Sequence, residues 1–138
     1  MSYKRSGFFM GRNVIIVLLA IMLLAAGCGS SSNEIKLGVD DNGSKVEMKA
    51  GQVLVTSLES NPTTGYAWEV VDFEEGALEQ AGEPEFEAES DRVGAGGVQT
   101  FRFKAAEAGE IELKLLHHRS WEEDVEPLDT FTVQVVVK

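Results

Sequence analysis

Residues 53–71 read VLVTSLES-NPTTGY-AWEVV, two strand-like segments on either side of a six-residue turn. Pro62 fixes its own φ, and Gly65 can adopt a positive φ that is closed to most residues. Thr63 and Thr64 are β-branched, so their hydroxyls are held in few directions. We therefore expect a rigid loop, projecting between two strands and carrying two small polar groups. By its local chemistry alone, the loop is also consistent with an ordinary surface turn.

The same period of two continues through most of the remaining chain, and helical periodicity is almost absent. Apolar residues alternate with polar or small ones in the segments 35–39, 46–48, 99–104, 111–115 and 130–137. Asp41-Asn42-Gly43 predicts a type I′ hairpin turn, and Glu85-Phe86-Glu87 a charged edge strand. Seven or eight short strands with frequent turn signals predict an all-β fold, an antiparallel β-sandwich forming a single domain over residues 34–138.

The first 27 residues are typical of a lipoprotein signal peptide. Lys4, Arg5 and Arg12 form a basic region, and an unbroken apolar run extends from Val14 to Ala26, too short for an ordinary membrane span. Small residues then precede Cys28, the only cysteine, which we expect to be acylated after cleavage. Residues 28–33 would form a flexible tether from the lipid to the domain. An uncleaved signal anchor and ordinary secretion with a free thiol are the alternatives.

Composition narrows the possible functions. The formal net charge is −11, and it becomes −14 when the three basic residues are removed with the signal peptide. A domain this acidic is not expected to bind nucleic acid or to adhere electrostatically to anionic lipid. An acylated Cys28 leaves no cysteine for disulfides, metal ligation or catalysis. His117 and His118 are neighbours in a strand and point to opposite faces, so a zinc site is not expected. We expect no cofactor and, without a Gly-x-Ser-x-Gly elbow, no enzyme.

Three short motifs, each at a position where the strand pattern predicts a loop, resemble a known family in their order along the chain. They are Asn61-Pro62-Thr63-Thr64-Gly65-Tyr66, Gly94-Ala95-Gly96-Gly97 and Arg119-Ser120-Trp121. Together they resemble the chagasin-type inhibitors of papain-like cysteine peptidases, over roughly Ile35 to Lys138. The third motif departs from the family's Arg-Pro-Trp, because Ser120 replaces proline.

The resemblance implies an immunoglobulin-like sandwich whose three loops lie together at one end and fill a peptidase's active-site cleft. It places Thr63 and Thr64 closest to the catalytic cysteine–histidine pair, with Asn61 bracing the loop and Tyr66 packing at its base. The implied activity is reversible, competitive inhibition, and we expect a monomer. The signal sequence, and not the resemblance, predicts that the domain is anchored through Cys28 outside the cytoplasm, to the cell membrane or the outer membrane.

The other two motifs have equally specific implied roles. Gly94, Gly96 and Gly97 would let the backbone run close to one wall of the cleft. Trp121 would be an exposed anchor, since polar and acidic residues surround it, and Arg119 would orient the loop or contact the enzyme. Ser120 removes a φ constraint, so we expect a looser third loop. A non-catalytic immunoglobulin-like surface or adhesion module is the alternative function, since sandwiches carry many unrelated functions.

Overall fold

The computed structural model describes residues 33–138, which form nine strands and two short 3-10 helices, Val39–Asp41 and Pro62–Thr64. The strands are β1 (Glu34–Leu37), β2 (Lys45–Met48), β3 (Val53–Ser60), β4 (Ala67–Val71), β5 (Leu78–Gln80), β6 (Glu85–Ala88), β7 (Gly97–Ala105), β8 (Gly109–His118) and β9 (Asp129–Val137). Within this range no helix is both long and apolar enough to cross a membrane. The predictions for the signal segment 1–27 and for Cys28 lie outside the described residues.

The strands form two sheets that enclose one apolar core. The first sheet has the order β1-β3-β7-β5, with β6 also paired to β7, and the second has the order β2-β9-β8-β4. Successive side chains on a strand point to opposite faces, so every second residue enters the space between the sheets. Phe101 and Phe103 of β7 and Leu113 and Leu115 of β8 are completely or almost completely buried, as their alternation predicts. The all-β sandwich is confirmed.

The Asp41-Asn42-Gly43 hairpin prediction is wrong, because β1 and β2 belong to different sheets. Asn42 has φ −57° and ψ 129° and Gly43 has φ 82°, which is a type II turn, whereas type I′ needs positive φ at both residues. The Asn42 amide donates to the carbonyl of Thr130 (3.1 Å) and its oxygen accepts from the backbone N–H of Thr132 (2.8 Å). These bonds attach the turn to β9 and set β2 beside it.

Both sheets are mixed, whereas the sequence predicts antiparallel pairing throughout the sandwich. β1 runs parallel to β3 and β2 runs parallel to β9, and the other pairings in the described part of the chain are antiparallel. The ninth strand is β5, which lies in the glutamate-rich connection where the sequence predicts only the edge strand now seen as β6. β5 has three residues and one buried side chain, Leu78, so it is too short to show a period.

Strand register brings the three loop segments to one end of the sandwich. Ser60 at the end of β3 pairs with Gly97 at the start of β7. Ala67 at the start of β4 pairs with His118 at the end of β8, and β9 begins beside β8 at Asp129. The connections 61–66, 89–96 and 119–128 therefore all leave from neighbouring strand ends.

Gln99 fixes the two sheets to each other at this end. Its side chain, on β7 of the first sheet, accepts from the backbone N–H of Trp68 (3.0 Å) and donates to the Trp68 carbonyl (2.9 Å) on β4 of the second. The Trp68 indole donates to the carbonyl of Glu59 (2.8 Å) on β3. The strands on both sides of the 61–66 connection are thus held at a defined separation.

Candidate functional site: three loops at one end of the sandwich

Loop 1, residues 61–66, is closed by its own hydrogen bonds. The backbone N–H of Thr64 donates to the carbonyl of Asn61 (3.1 Å), and that of Gly65 donates to the carbonyl of Pro62 (2.9 Å). The Asn61 side-chain oxygen accepts from the backbone N–H of Thr63 (3.2 Å) and caps the short helix. Gly65 ends it in the left-handed region, at φ 82° and ψ −9°. These bonds agree with the predicted bracing of the loop by the Asn61 side chain.

The two threonine hydroxyls are directed back into the loop. The Thr63 hydroxyl donates to the side-chain oxygen of Asn61 (2.5 Å), and the Thr64 hydroxyl donates to the Asn61 carbonyl (2.6 Å). Both residues are exposed, so the loop tip presents hydroxyl oxygens whose protons are already used. The two polar groups are predictable from the sequence, but their orientation is not, because it depends on the folded turn.

Loop 2, residues 89–96, is attached to loop 1 through Asn61. The Asn61 amide donates to the carbonyl of Gly94 (3.2 Å), so one side chain both caps loop 1 and binds loop 2. Gly94 has φ +81° with open space around it, which suits a turn at the loop tip. Val93 beside it is a fully exposed apolar side chain. Val93 was not predicted as a contact residue, although an apolar side chain next to glycine in a predicted loop can indicate one.

Gly97 has a structural role within the sandwich that the resemblance does not imply. It is the first residue of β7, and a Cβ there would collide with the carbonyl oxygen of Glu87 and lie 2.8 Å from the Cα of Ala88. Glycine at this position therefore permits close pairing of β6 with β7. At Gly96 the nearest atom to an added Cβ is the carbonyl oxygen of Ser60, at 3.6 Å, which is ordinary contact.

Loop 3, which begins at Arg119, is attached to loop 1 by that residue. The Arg119 Nε donates to the carbonyl of Thr64 (3.1 Å), and its guanidinium lies 4.4 Å from the ring centre of Tyr66. A second guanidinium nitrogen forms an ion pair with Glu122 (3.1 Å). The sequence left open whether Arg119 orients the loop or contacts an enzyme, and these bonds assign it an orienting role.

Trp121 is 67% exposed, in agreement with the prediction of an exposed residue. The edge of its indole lies against Gly65, where an added Cβ would collide with Cη2 and lie 2.8 Å from Cζ2. Two constraints therefore require glycine at position 65: the positive φ of the backbone, and the indole of Trp121, which occupies the space that a side chain would need. Although Ser120 replaces the family's proline, the turn is still closed by a hydrogen bond. The backbone N–H of Glu122 donates to the Arg119 carbonyl (3.1 Å).

Below the loops, Ser60, His117 and Asp129 line one cavity and are the residue types of a hydrolase triad. No hydrogen bond joins any two of these side chains, and Ser60 Oγ and His117 Nε2 have no hydrogen-bond partner within residues 33–138. A nucleophile activated by a base needs such a bond. Among the described residues, no three His, Cys, Asp or Glu side chains are grouped so that they could hold a metal ion.

The family model described as chagasin family peptidase inhibitor I42 matches residues 47–135, more than half of the chain and all three loops. The chain belongs to the chagasin family. It is 33% identical over 99 residues to chagasin of Trypanosoma cruzi, a match that covers 67% of this chain and 87% of that protein. As a chagasin-family chain, it is a peptidase inhibitor and not an enzyme.

Solved structures of similar chains share the chagasin-type sandwich. The crystal structure of the cysteine protease inhibitor EhICP2 from Entamoeba histolytica matches with a TM-score of 0.66 at 25% identity, covering 76% of this chain and 96% of that one. Leishmania mexicana ICP matches with a TM-score of 0.55 at 29% identity, covering 80% of this chain and 100% of that one. The immunoglobulin-like sandwich implied by the three motifs is thereby confirmed.

Proposed function

We propose that this chagasin-family chain inhibits papain-like cysteine peptidases reversibly and competitively, by inserting loops 1, 2 and 3 together into the active-site cleft. One observation carries the proposal: Asn61 binds loop 1 to Gly94 of loop 2, and Arg119 binds loop 3 to Thr64 of loop 1. Three loops that are bound to one another can act as one rigid wedge. The name of the Entamoeba histolytica relative, a cysteine protease inhibitor, supports this class of target.

The chemistry of loop 1 suits a papain-like site, which is a groove with a thiolate–imidazolium pair at its base. Thr63 and Thr64 are exposed at the tip, and their hydroxyl protons are bound within the loop. The tip can therefore approach the catalytic pair with oxygen acceptors while the helical turn holds the loop carbonyls away from an extended, cleavable geometry. Occupancy without acylation is reversible and competitive. Preorganisation also reduces the entropy lost on binding.

Trp121 is the proposed anchor of loop 3. It offers a large exposed apolar surface, and tryptophan is enriched among interface residues that contribute most to affinity. Val93 extends the apolar contact on the loop 2 side. We expect a total interface of about 1,600 Å², the usual size for protease–inhibitor complexes.

We also propose that the inhibitor is anchored to a membrane outside the cytoplasm. Cleavage after residue 27 and acylation of Cys28 would hold a monomeric domain outside the cell on a tether of residues 28–33. The basic start, the apolar run and the small residues before Cys28 support it. Metabolic labelling with a palmitate analogue should label the wild type and not Cys28→Ser. Equal labelling of both proteins would contradict the anchor without affecting the inhibitory mechanism.

The decisive experiment is titration of papain activity with the purified protein at several substrate concentrations. We expect the apparent inhibition constant to rise linearly with substrate, and the inhibitor to be recovered uncleaved. Trp121→Ala should weaken inhibition by at least about tenfold. Phe86→Ala, which removes a partly exposed aromatic on β6, outside the three loops, serves as the matched control. No inhibition of papain or its relatives would instead favour a surface-interaction module.

A further inference from the structure

Gln99 connects the strands that carry loops 1 and 2. It lies near the start of β7, the strand that follows loop 2. Its backbone pairs with Leu58 of β3, the strand that leads into loop 1. Its side chain reaches β4, the strand that follows loop 1 and belongs to the other sheet. This one residue therefore holds together the bases of two loops and the two sheets.

The side chain of Gln99 uses both of its polar groups on Trp68. Oε1 accepts from the Trp68 backbone N–H (3.0 Å), and Nε2 donates to the Trp68 carbonyl (2.9 Å). β4 is an edge strand that pairs with β8 on its other side, so these two backbone groups would have no strand partner of their own. A side-chain amide carries both a carbonyl oxygen and an N–H donor, so Gln99 takes the place of a neighbouring strand.

Loop 1 crosses from one sheet to the other, so its shape depends on the separation of the sheets. β3 ends at Ser60 in the first sheet, and β4 begins at Ala67 in the second. Next to these ends, the Trp68 indole donates to the carbonyl of Glu59 (2.8 Å). Trp68 is thus bound to β3 by its indole and, through Gln99, to β7 by its backbone. A change at Gln99 should therefore alter the distance that loop 1 has to span.

We propose that Gln99, which lies outside all three loop motifs, is a positioning residue for peptidase inhibition. It acts through Trp68 and sets the position of loop 1 relative to loop 2. Asn61 connects these loops at their tips, and Gln99 connects them at their base. A binding surface has to hold its contact atoms to within about 0.5 Å, which depends on the residues behind it. This role depends on the inhibitory function proposed above.

The experiment is competitive titration of papain with the wild type, Gln99→Met and Gln99→Glu at about pH 7.5 and about pH 5. Gln99→Met keeps the length of the side chain and removes both bonds to Trp68, so it should raise the inhibition constant about tenfold at either pH. Gln99→Glu keeps the acceptor for the Trp68 N–H. At pH 7.5 its carboxylate has no proton for the Trp68 carbonyl, and we expect a similar tenfold loss.

Acid should restore inhibition by Gln99→Glu alone. The carbonyl of Trp68 and partial burial both disfavour an anion at position 99, so the pKa of the new carboxyl should lie above the usual value of about 4.3. At pH 5 its O–H can donate to the Trp68 carbonyl, and the inhibition constant relative to wild type should fall to about threefold.

The other titratable groups near this contact are common to all the proteins compared. His117 stacks on Trp68 with 4.8 Å between ring centres, and Glu69 forms an ion pair with His118 on the same two strands. The ratio of Gln99→Met to wild type should therefore not change with pH. Gln134→Glu, the same substitution on β9 between β2 and β8, should leave inhibition unchanged at both pH values.

The ¹H–¹⁵N NMR spectrum of the free protein tests the positioning without a peptidase. The backbone N–H groups of Thr64 and Gly65 close the turn of loop 1. Their signals should shift in Gln99→Met, and in Gln99→Glu they should return towards the wild-type positions as the pH falls. Signals from residues 49–52, between β2 and β3, should not shift, because this connection lies at the opposite end of β3.

Wild-type inhibition by both variants, or a pH-independent ratio for Gln99→Glu, would overturn the proposal. If Gln99→Met does not fold, Gln99→Glu, which keeps one of the two bonds, decides the outcome by its pH dependence. If the wild type itself does not inhibit papain or its relatives, the proposed function is wrong. Unchanged Thr64 and Gly65 signals in the variants would show separately that Gln99 does not position loop 1.

Discussion

Replacing Gly65 by alanine should impair inhibition through Trp121 as well as destabilise the fold. At φ 82° an alanine costs about 1–2 kcal/mol, which lowers the melting temperature by about 4–8 °C for each kcal/mol in a domain of this size. The new Cβ also occupies the position of the indole edge, so Trp121 has to move. Loss of about 2 kcal/mol from such an anchor corresponds to an inhibition constant raised about 30-fold.

Gly82→Ala separates the two effects. Gly82 lies between β5 and β6 at φ +81°, and an added Cβ there would have no neighbour within 4 Å. We expect a similar fall in melting temperature and an unchanged inhibition constant for papain. Calorimetry and competitive titration of both variants provide the comparison. If Gly65→Ala inhibits as well as Gly82→Ala, the position of Trp121 against loop 1 does not matter and the wedge mechanism is wrong.

Three further predictions concern other contacts. Arg119→Gln removes the hydrogen bond to the Thr64 carbonyl of loop 1 and should raise the inhibition constant about tenfold. Arg102→Gln, which breaks an exposed ion pair on β7, should leave the inhibition constant unchanged. Equal effects of the two variants would refute the orienting role of Arg119. Gly97→Ala should lower the free energy of unfolding, measured in urea, by about 2 kcal/mol or more, because the new Cβ meets the backbone of β6. Gly96→Ala should lower it by less than about 0.5 kcal/mol. A larger loss of stability for Gly96→Ala than for Gly97→Ala would contradict the strand-pairing role of Gly97. Because burial lowers the pKa of His117, the unfolded chain binds the proton first as the pH falls, so stability should decrease between about pH 7 and pH 5. His117→Gln should lose less stability over that range, and an identical loss in both proteins would show that the residue does not contribute.

Period-two alternation predicted the sandwich and its core because burial of one face of a strand depends on local spacing alone. Phe131, Val133, Val135 and Val137 are buried as expected. The same reasoning failed at Asn42, where the local signal is a hairpin turn but the side chain binds β9. No local pattern predicts a partner that is nearly ninety positions away in sequence.

The candidate site, like the fold, could be predicted from the sequence only in part. By itself the sequence determined the three loop motifs, the family and the tight turn of loop 1, because proline fixes its own φ and glycine permits a positive φ wherever they occur. Only the tertiary structure decided that the Asn61 amide binds loop 2, that Arg119 binds loop 1, and that Gly97 serves a strand pair. It also brought Ser60 and His117 to one cavity. Each of these depends on strand register, which places residues distant in sequence side by side and is set by the packing of the whole sandwich.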